Sequence, residues 1–222
     1  NQPGKFWFSQ SPVISLFTDF CVHQQNRDRW KFLQVFPELY GDNDTHLTAY
    51  WLIDGDQSDG CYNLQCKGFV PYKQSKYKLG AKIRPLSTYD GDQYDITLKI
   101  FKDKTTGDWV LHAGRRGDKP IGHWPKSLLP YLEEAATFVQ FGGDVSYHPG
   151  DRAPPMGSGH SPDDGDKRAA YVKDAFVFTQ IDAVAVPSPD VLQSKPECYS
   201  FPFGGYHAYA PAYVGGPGGC SS

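Results

Sequence analysis

Over residues 94–102 the chain reads YDITLKIFK, and its side chains alternate without a slip. Tyr94, Ile96, Leu98 and Ile100 fall on one face; Asp95, Thr97, Lys99 and Phe101 fall on the other. A period of two marks a strand buried on one side. Strand-forming residues recur in pieces along the chain, at 6–20 (with PVISLFTDF), 33–36, 46–53 (HLTAYWLI), 67–70, 79–84, 109–113 and 170–181. The 23 glycines and 18 prolines break these pieces apart and leave little room for long helices. One helix is predicted over 127–136, where Leu128, Leu129, Leu132 and Ala136 share a side and Pro125 and Pro130 keep it short. The expected fold is all-β: two packed antiparallel sheets, a β-sandwich with one short helix, forming a single domain over 1–222.

Within this pattern, residues 137–147 (TFVQFGGDVSY) read as a strand interrupted by a glycine pair, Gly142 and Gly143. A bulge or bend there re-aims the flanking polar side chains, Gln140 and Asp144. The polar, Gly/Pro-rich stretch that follows, 147–167, is too long for a hairpin loop and contains PPMGSGH at 154–160. Long ordered loops of this kind tend to carry function.

Several chemistries are disfavoured. A net charge of −3 gives no reason to expect nucleic acid or an anionic membrane as partner, and no run of 18 apolar residues spans a bilayer. The seven histidines show neither HxH nor HExxH spacing, so neither a metal nor another cofactor is expected. There is no GxSxG elbow, and the SGHS run at 158–161 is not a serine-hydrolase signature. Lys73, Lys76, Lys78, Lys82 and Arg84 read as a solvated strand face that guards a sheet edge. Aromatic residues form 15% of the chain, and such rings suit pleated sheets and surfaces that bind sugars or prolines.

Of five cysteines, Cys61 and Cys66 lie close enough to close a local loop, Cys198 and Cys220 bracket the C-terminal segment, and Cys21 is left over. With the glycosylation sequon at Asn43, they favour a secreted, disulfide-bearing chain. Glutamate is scarce: only Glu38, Glu133, Glu134 and Glu197 occur, in a turn, on the helix, and near the C-terminal segment, and none faces a cleft from a strand.

Six motifs then recur in a fixed order: PELYGDN (37–43), GCYNLQCKGFV (60–70), IGHWPKSL (121–128), FGGDV (141–145), MGSGH (156–160) and GGPGGC (215–220). In these motifs the chain resembles the catalytic domain of neprosin, the secreted plant glutamic peptidase that cleaves after proline. The resemblance implies a β-sandwich matured by removal of a leader and a propeptide, which could stay associated. It also implies the pairings Cys61–Cys66 and Cys198–Cys220, a sugar on Asn43, and an extracellular or vacuolar location.

The family's reaction needs two glutamates facing each other, one taking a proton from water and the other, protonated, supporting the oxyanion. Counting back from Pro37 without a gap puts Trp30 at the first glutamate's place, and a gap puts Arg27 there; the second place is held by Asp144. The expectation is a non-catalytic relative that keeps the concave-sheet groove to bind a proline-containing peptide or a glycan. Trp30, Trp51, Tyr94, Gln140 and His160 are the groove candidates. The alternatives are an active acid prolyl endopeptidase using Asp144 with another carboxylate, Asp28 being one choice, and a seed or defence protein without a dedicated ligand.

Overall fold

The computed structural model describes residues 2–9, 17–23, 30–52, 60–136, 138–140, 142–148, 150–178, 183–185, 191, 193–202 and 210–220. Their strands are β1 (Gln2–Ser9), β2 (Phe17–His23), β3 (Trp30–Gln34), β4 (His46–Leu52), β5 (Gly60–Tyr62), β6 (Val70–Pro71), β7 (Asp95–Lys102), β8 (Trp109–Ala113), β9 (Lys119–Trp124), β10 (Phe138–Gln140), β11 (Gly143–Asp144), β12 (Ala170–Phe178), β13 (Ala183–Ala185) and β14 (Ala212–Val214). One α-helix, α1, covers Pro37–Tyr40.

Two antiparallel sheets result. The larger runs β13-β12-β1-β7-β8-β9-β6, with β14 also on β12; the smaller runs β10-β2-β3-β4-β5, with β11 also on β2. They share one core. Phe32, Leu33, Leu47 and Trp51 from the smaller sheet pack with Ile96, Leu98, Ile100, Leu111 and Trp124 from the larger. At its centre the rings of Trp51 and Trp124 meet edge to face at 5.9 Å, and Phe69 closes on Trp124 at 4.6 Å. The alternation over 94–102 is realised in part in β7: Ile96, Leu98 and Ile100 are buried, but so is Thr97 of the opposite face, while Tyr94 at the start is exposed. No helix among the described residues is long and apolar enough to cross a membrane.

Two local expectations are corrected. The helix predicted over 127–136 is instead a pair of 3₁₀ turns, Lys126–Leu128 and Pro130–Leu132. Pro130 lacks the N–H that would continue a helix and forces the residue before it out of the helical region, and Leu129 accordingly sits at φ −124°, ψ 63°. The single α-helix among the described residues lies at 37–40, in a segment read as a turn. Proline at its first position and Gly41 in the left-handed region at its end (φ 73°) supply the start and the stop.

Residues 79–84 do not form a regular strand. Gly80 turns at φ 83°, and only an isolated bridge, His46↔Lys82, joins the segment to β4. The bonds Gly80 N–H to Leu47 O (2.7 Å), Leu47 N–H to Ala81 O (2.9 Å) and Ile83 N–H to Thr45 O (2.9 Å) hold it there. The expected pairings are both formed, Cys61–Cys66 and Cys198–Cys220.

The turn after α1 is an ionic knot. His46, 4% exposed, stacks on Tyr40 at 3.8 Å, and its two ring nitrogens face Gly80 O (2.8 Å) and Asp42 Oδ1 (2.9 Å). Lys82 reaches Asp42 (2.9 Å) and Asp44 (2.7 Å), and Arg84 reaches the other oxygen of Asp44. The hydrogen bond from His46, then that from Lys82, holds the Asp42 carboxyl far below the usual carboxylate range, and Lys82 lowers Asp44. A carboxyl depressed in the folded state stabilises the fold above its unfolded pKa and loses that contribution as pH falls through its folded value. Thermal unfolding followed from about pH 5 to about pH 2 is therefore expected to show a falling Tm. Asp42→Asn should lower Tm at neutral pH and flatten the acid slope; an unchanged slope would remove Asp42 from the account.

Candidate ligand-binding face

The interrupted strand read at 137–147 is present as β10 and β11, both paired to β2 in one continuous register: Gln140↔Cys21, Gly143↔Thr18, Asp144↔Phe17. The second glycine of the break has a packing cause. A Cβ on Gly143 would lie 2.5 Å from Met156 Sδ, so the MGSGH loop occupies the space that a side chain would need. Met156 is itself held by a two-way bridge to Gly216, at 2.9 and 3.2 Å, and Gly216 sits at φ 156° with no room for a Cβ beside Cys198 O. Tyr199 donates its hydroxyl to Pro154 O at 2.6 Å, and burial pushes this phenol up to about 12. The FGGD, MGSGH and GGPGG motifs are thus one contiguous structure.

On the other flank of β2, Trp30 opens β3 opposite Phe20, and Lys31 lies opposite Asp19. Trp30, the gap-free choice for the first glutamate's place, and Asp144 therefore border the same strand from its two sides at partners three positions apart, an odd separation that puts the two register positions on opposite faces of the sheet. Asp144 is half-buried. Arg27 and Asp28 lie outside the described residues. All four glutamates of the chain are exposed and lie outside strands: Glu38 on α1, Glu133 and Glu134 after the second 3₁₀ turn, and Glu197 in the turn before Cys198.

The remaining groove candidates stand in different surroundings. Trp51 is 0% exposed in the inter-sheet core, so no face of its indole is open to a ligand; it is corrected from groove to core. A ten-residue stretch rich in aromatics gave no sign of which ring pointed inward. Tyr94 is 37% exposed just before β7 and lines a recess on a different part of the surface. His160, half-buried, lies against the Tyr89 ring at 4.3 Å and 3.7 Å from Asp164. Gln140 keeps its register position on β10 opposite Cys21. Asn43 is exposed in the turn after α1, where its side chain is accessible to a sugar.

Two residues went unread. Asp19 sits in β2 two positions from Phe17, the partner of Asp144, and so occupies a diagonal place relative to it. Its signal was the alternation within LFTDF, which was taken only as an apolar strand. Arg115, in the turn after β8, joins Lys76, Lys78, Lys82 and Arg84 around the recess beside Tyr94. These residues do not form the expected strand face, because the segment that carries them is bent at Gly80.

A family model described as Neprosin matches residues 30–217.

Proposed function

Since the chain belongs to the neprosin family, we propose that it is a secreted neprosin-domain protein that has lost glutamate-pair peptidase chemistry and uses the face around β2, β3 and β11 to bind a proline-containing peptide or a glycan. The observation that carries the reading is the fate of the glutamates. All four are exposed and off the strands, which supports the loss of a strand-borne glutamate pair. The residue that counting puts at the first glutamate's place, Trp30 or with a gap Arg27, offers N–H donors and no basic oxygen. Asp144, at the second, is one methylene shorter, and a misplacement of about 1 Å can cost on the order of a hundredfold in rate. The scaffold around these places is intact in the ordered pairing of β2, β3 and β11. Two disulfides support secretion to an extracellular or vacuolar compartment, since such bonds persist where the surroundings are oxidising.

A second reading has one specific observation in its favour. The register places Asp19 diagonal to Asp144, at a separation of roughly 7 Å between such positions in a sheet. Two carboxyls at that spacing with a water between them would suffice for acid proteolysis using Asp144 with Asp19.

Incubation of the purified protein with a proline-rich peptide between about pH 3 and about pH 7, followed by mass spectrometry, separates the two. The expected result is intact peptide, with binding retained in a pull-down on the same peptide or on a glycan array. Clean cleavage after proline that disappears in both Asp144→Asn and Asp19→Asn would overturn loss of catalysis and establish the second reading.

A further inference from the structure

A recess of about 680 Å³ opens between residues 76–85, the start of β7 and the turn after β8. Its wall carries five cations, Lys76, Lys78, Lys82, Arg84 and Arg115, against one carboxylate, Asp95. The carboxylate is already neutralised by Lys173 at 2.9 Å, while Lys82 and Arg84 are engaged with Asp42 and Asp44. Lys76, Lys78 and Arg115 have no carboxylate partner among the described residues, so the recess keeps an excess of positive charge.

The backbone around these cations is pinned. Arg115 lies in a turn tied to β7 by Thr97 N–H to Gly114 O (3.0 Å) and Thr97 Oγ1 to Arg115 O (3.0 Å). Tyr77 is wedged against Gly114, where an added Cβ would lie 3.3 Å from its ring and hydroxyl. Ser75 donates its hydroxyl to Tyr77 O at 2.6 Å. On the β7 side, the Ser87 hydroxyl and the Tyr94 backbone exchange bonds at 3.1 and 2.8 Å, which fixes the base of the Tyr94 side chain. Two tyrosines thus stand in a cationic recess on rigid supports.

The peptide backbone offers little to an extended chain. The one strand-like stretch in the wall spends the Ala81 carbonyl on Leu47 and the Ile83 N–H on Thr45, leaving only a short outer edge around Lys82 before Pro85, which has no N–H to donate. So short an outer edge gives strand addition by an acidic peptide little register to read. Recognition must come from side chains: point charges for carboxylates, and tyrosine faces for rings.

We propose that this recess binds a carboxylate-bearing oligosaccharide, a chain of uronate units, with Lys76, Lys78 and Arg115 on the carboxylates and Tyr94 and Tyr77 against the sugar rings. A volume of about 680 Å³ lies within the range of pockets that hold small ligands, roughly 300–1,000 Å³, and accommodates a few sugar units. The site shares no residue with the face around Asp144, so peptide cleavage or its absence there leaves this assignment untouched.

The test is calorimetric titration with an oligogalacturonate, a neutral cello-oligosaccharide and poly-glutamate in parallel. Binding of the oligogalacturonate alone, weakening as ionic strength rises from about 0.05 M to about 0.5 M, is the expected result. Losing a charged hydrogen bond costs on the order of tenfold in affinity, so Arg115→Ala and the double variant Lys76→Ala/Lys78→Ala should each weaken binding by at least that factor. Tyr94→Ala should weaken oligogalacturonate binding by less. All these side chains except Tyr77 are exposed, and unchanged Tm values will show that the variants fold. Poly-glutamate binding as tightly as the sugar, equal binding of the neutral chain, or an affinity unmoved by the charge variants would each overturn the proposal.

Discussion

Trp124→Ala is expected to lower the stability of the protein by about 3–5 kcal/mol, the cost of deleting a large aromatic side chain from a packed core. Trp124 is fully buried at the end of β9, where it faces Trp109 in register and packs against Trp51 and Phe69. It links the larger sheet to the smaller one. The loss has two parts: the transfer free energy of the ring, and the cavity left where β4 and β9 cannot collapse onto each other. Because domains of this kind hold only about 5–15 kcal/mol in total, the variant should unfold at a much lower urea concentration. Trp124→Phe, which keeps most of the ring volume, should lose less than half as much. A shift below about 1 kcal/mol for the alanine variant would mean that the core can repack around the gap, contrary to the edge-to-face geometry.

The second large effect is expected from opening the Cys198–Cys220 bridge. The two cysteines are 22 residues apart, and closing a loop of that size restricts the unfolded chain by about 3 kcal/mol, against about 2 kcal/mol for the Cys61–Cys66 loop. Position enlarges the difference. Cys198 is 3% exposed, and the segment that the bridge anchors carries Gly215 and Gly216, bonded to Ser200 and Met156. Met156 in turn fills the space beside Gly143 next to Asp144. Cys198→Ser/Cys220→Ser should therefore lower the urea midpoint more than Cys61→Ser/Cys66→Ser does. It should also expose the chain beyond Cys198 to limited proteolysis while leaving the β7–β8 hairpin protected. Equal losses from the two double variants would show that loop entropy and the C-terminal anchor do not add.

Much of the architecture was legible in the residues. The unbroken alternation of β7 required a half-buried strand, and the glycine pair at 142–143 required a break between β10 and β11. The helix at 127–136 was misread because Leu128, Leu129 and Leu132 satisfy helical spacing, while Pro130 in their midst decides otherwise. The one α-helix among the described residues spans only four residues, too few to show a period, although its proline and glycine mark both ends.

The site was legible only in part. Counting along the chain offers Trp30 or Arg27 for the first glutamate's place and Asp144 for the second. That all four glutamates lie on the exposed surface and off the strands required the structure. Trp51 and Tyr94 looked alike as exposed rings for a groove, yet one is sealed in the core and the other stands in a cationic recess.

The order of residues alone decided the strand class of the fold, the family and the scarcity of glutamate, because each depends on which side chains stand at which spacing. Tertiary structure alone decided which ring is covered, that Met156 leaves no room for a side chain at Gly143, and that Arg115 meets Lys76 and Lys78. Alternation says that a strand has two faces, but the sheet that packs against it, brought from a distant part of the chain, selects the one that loses its water.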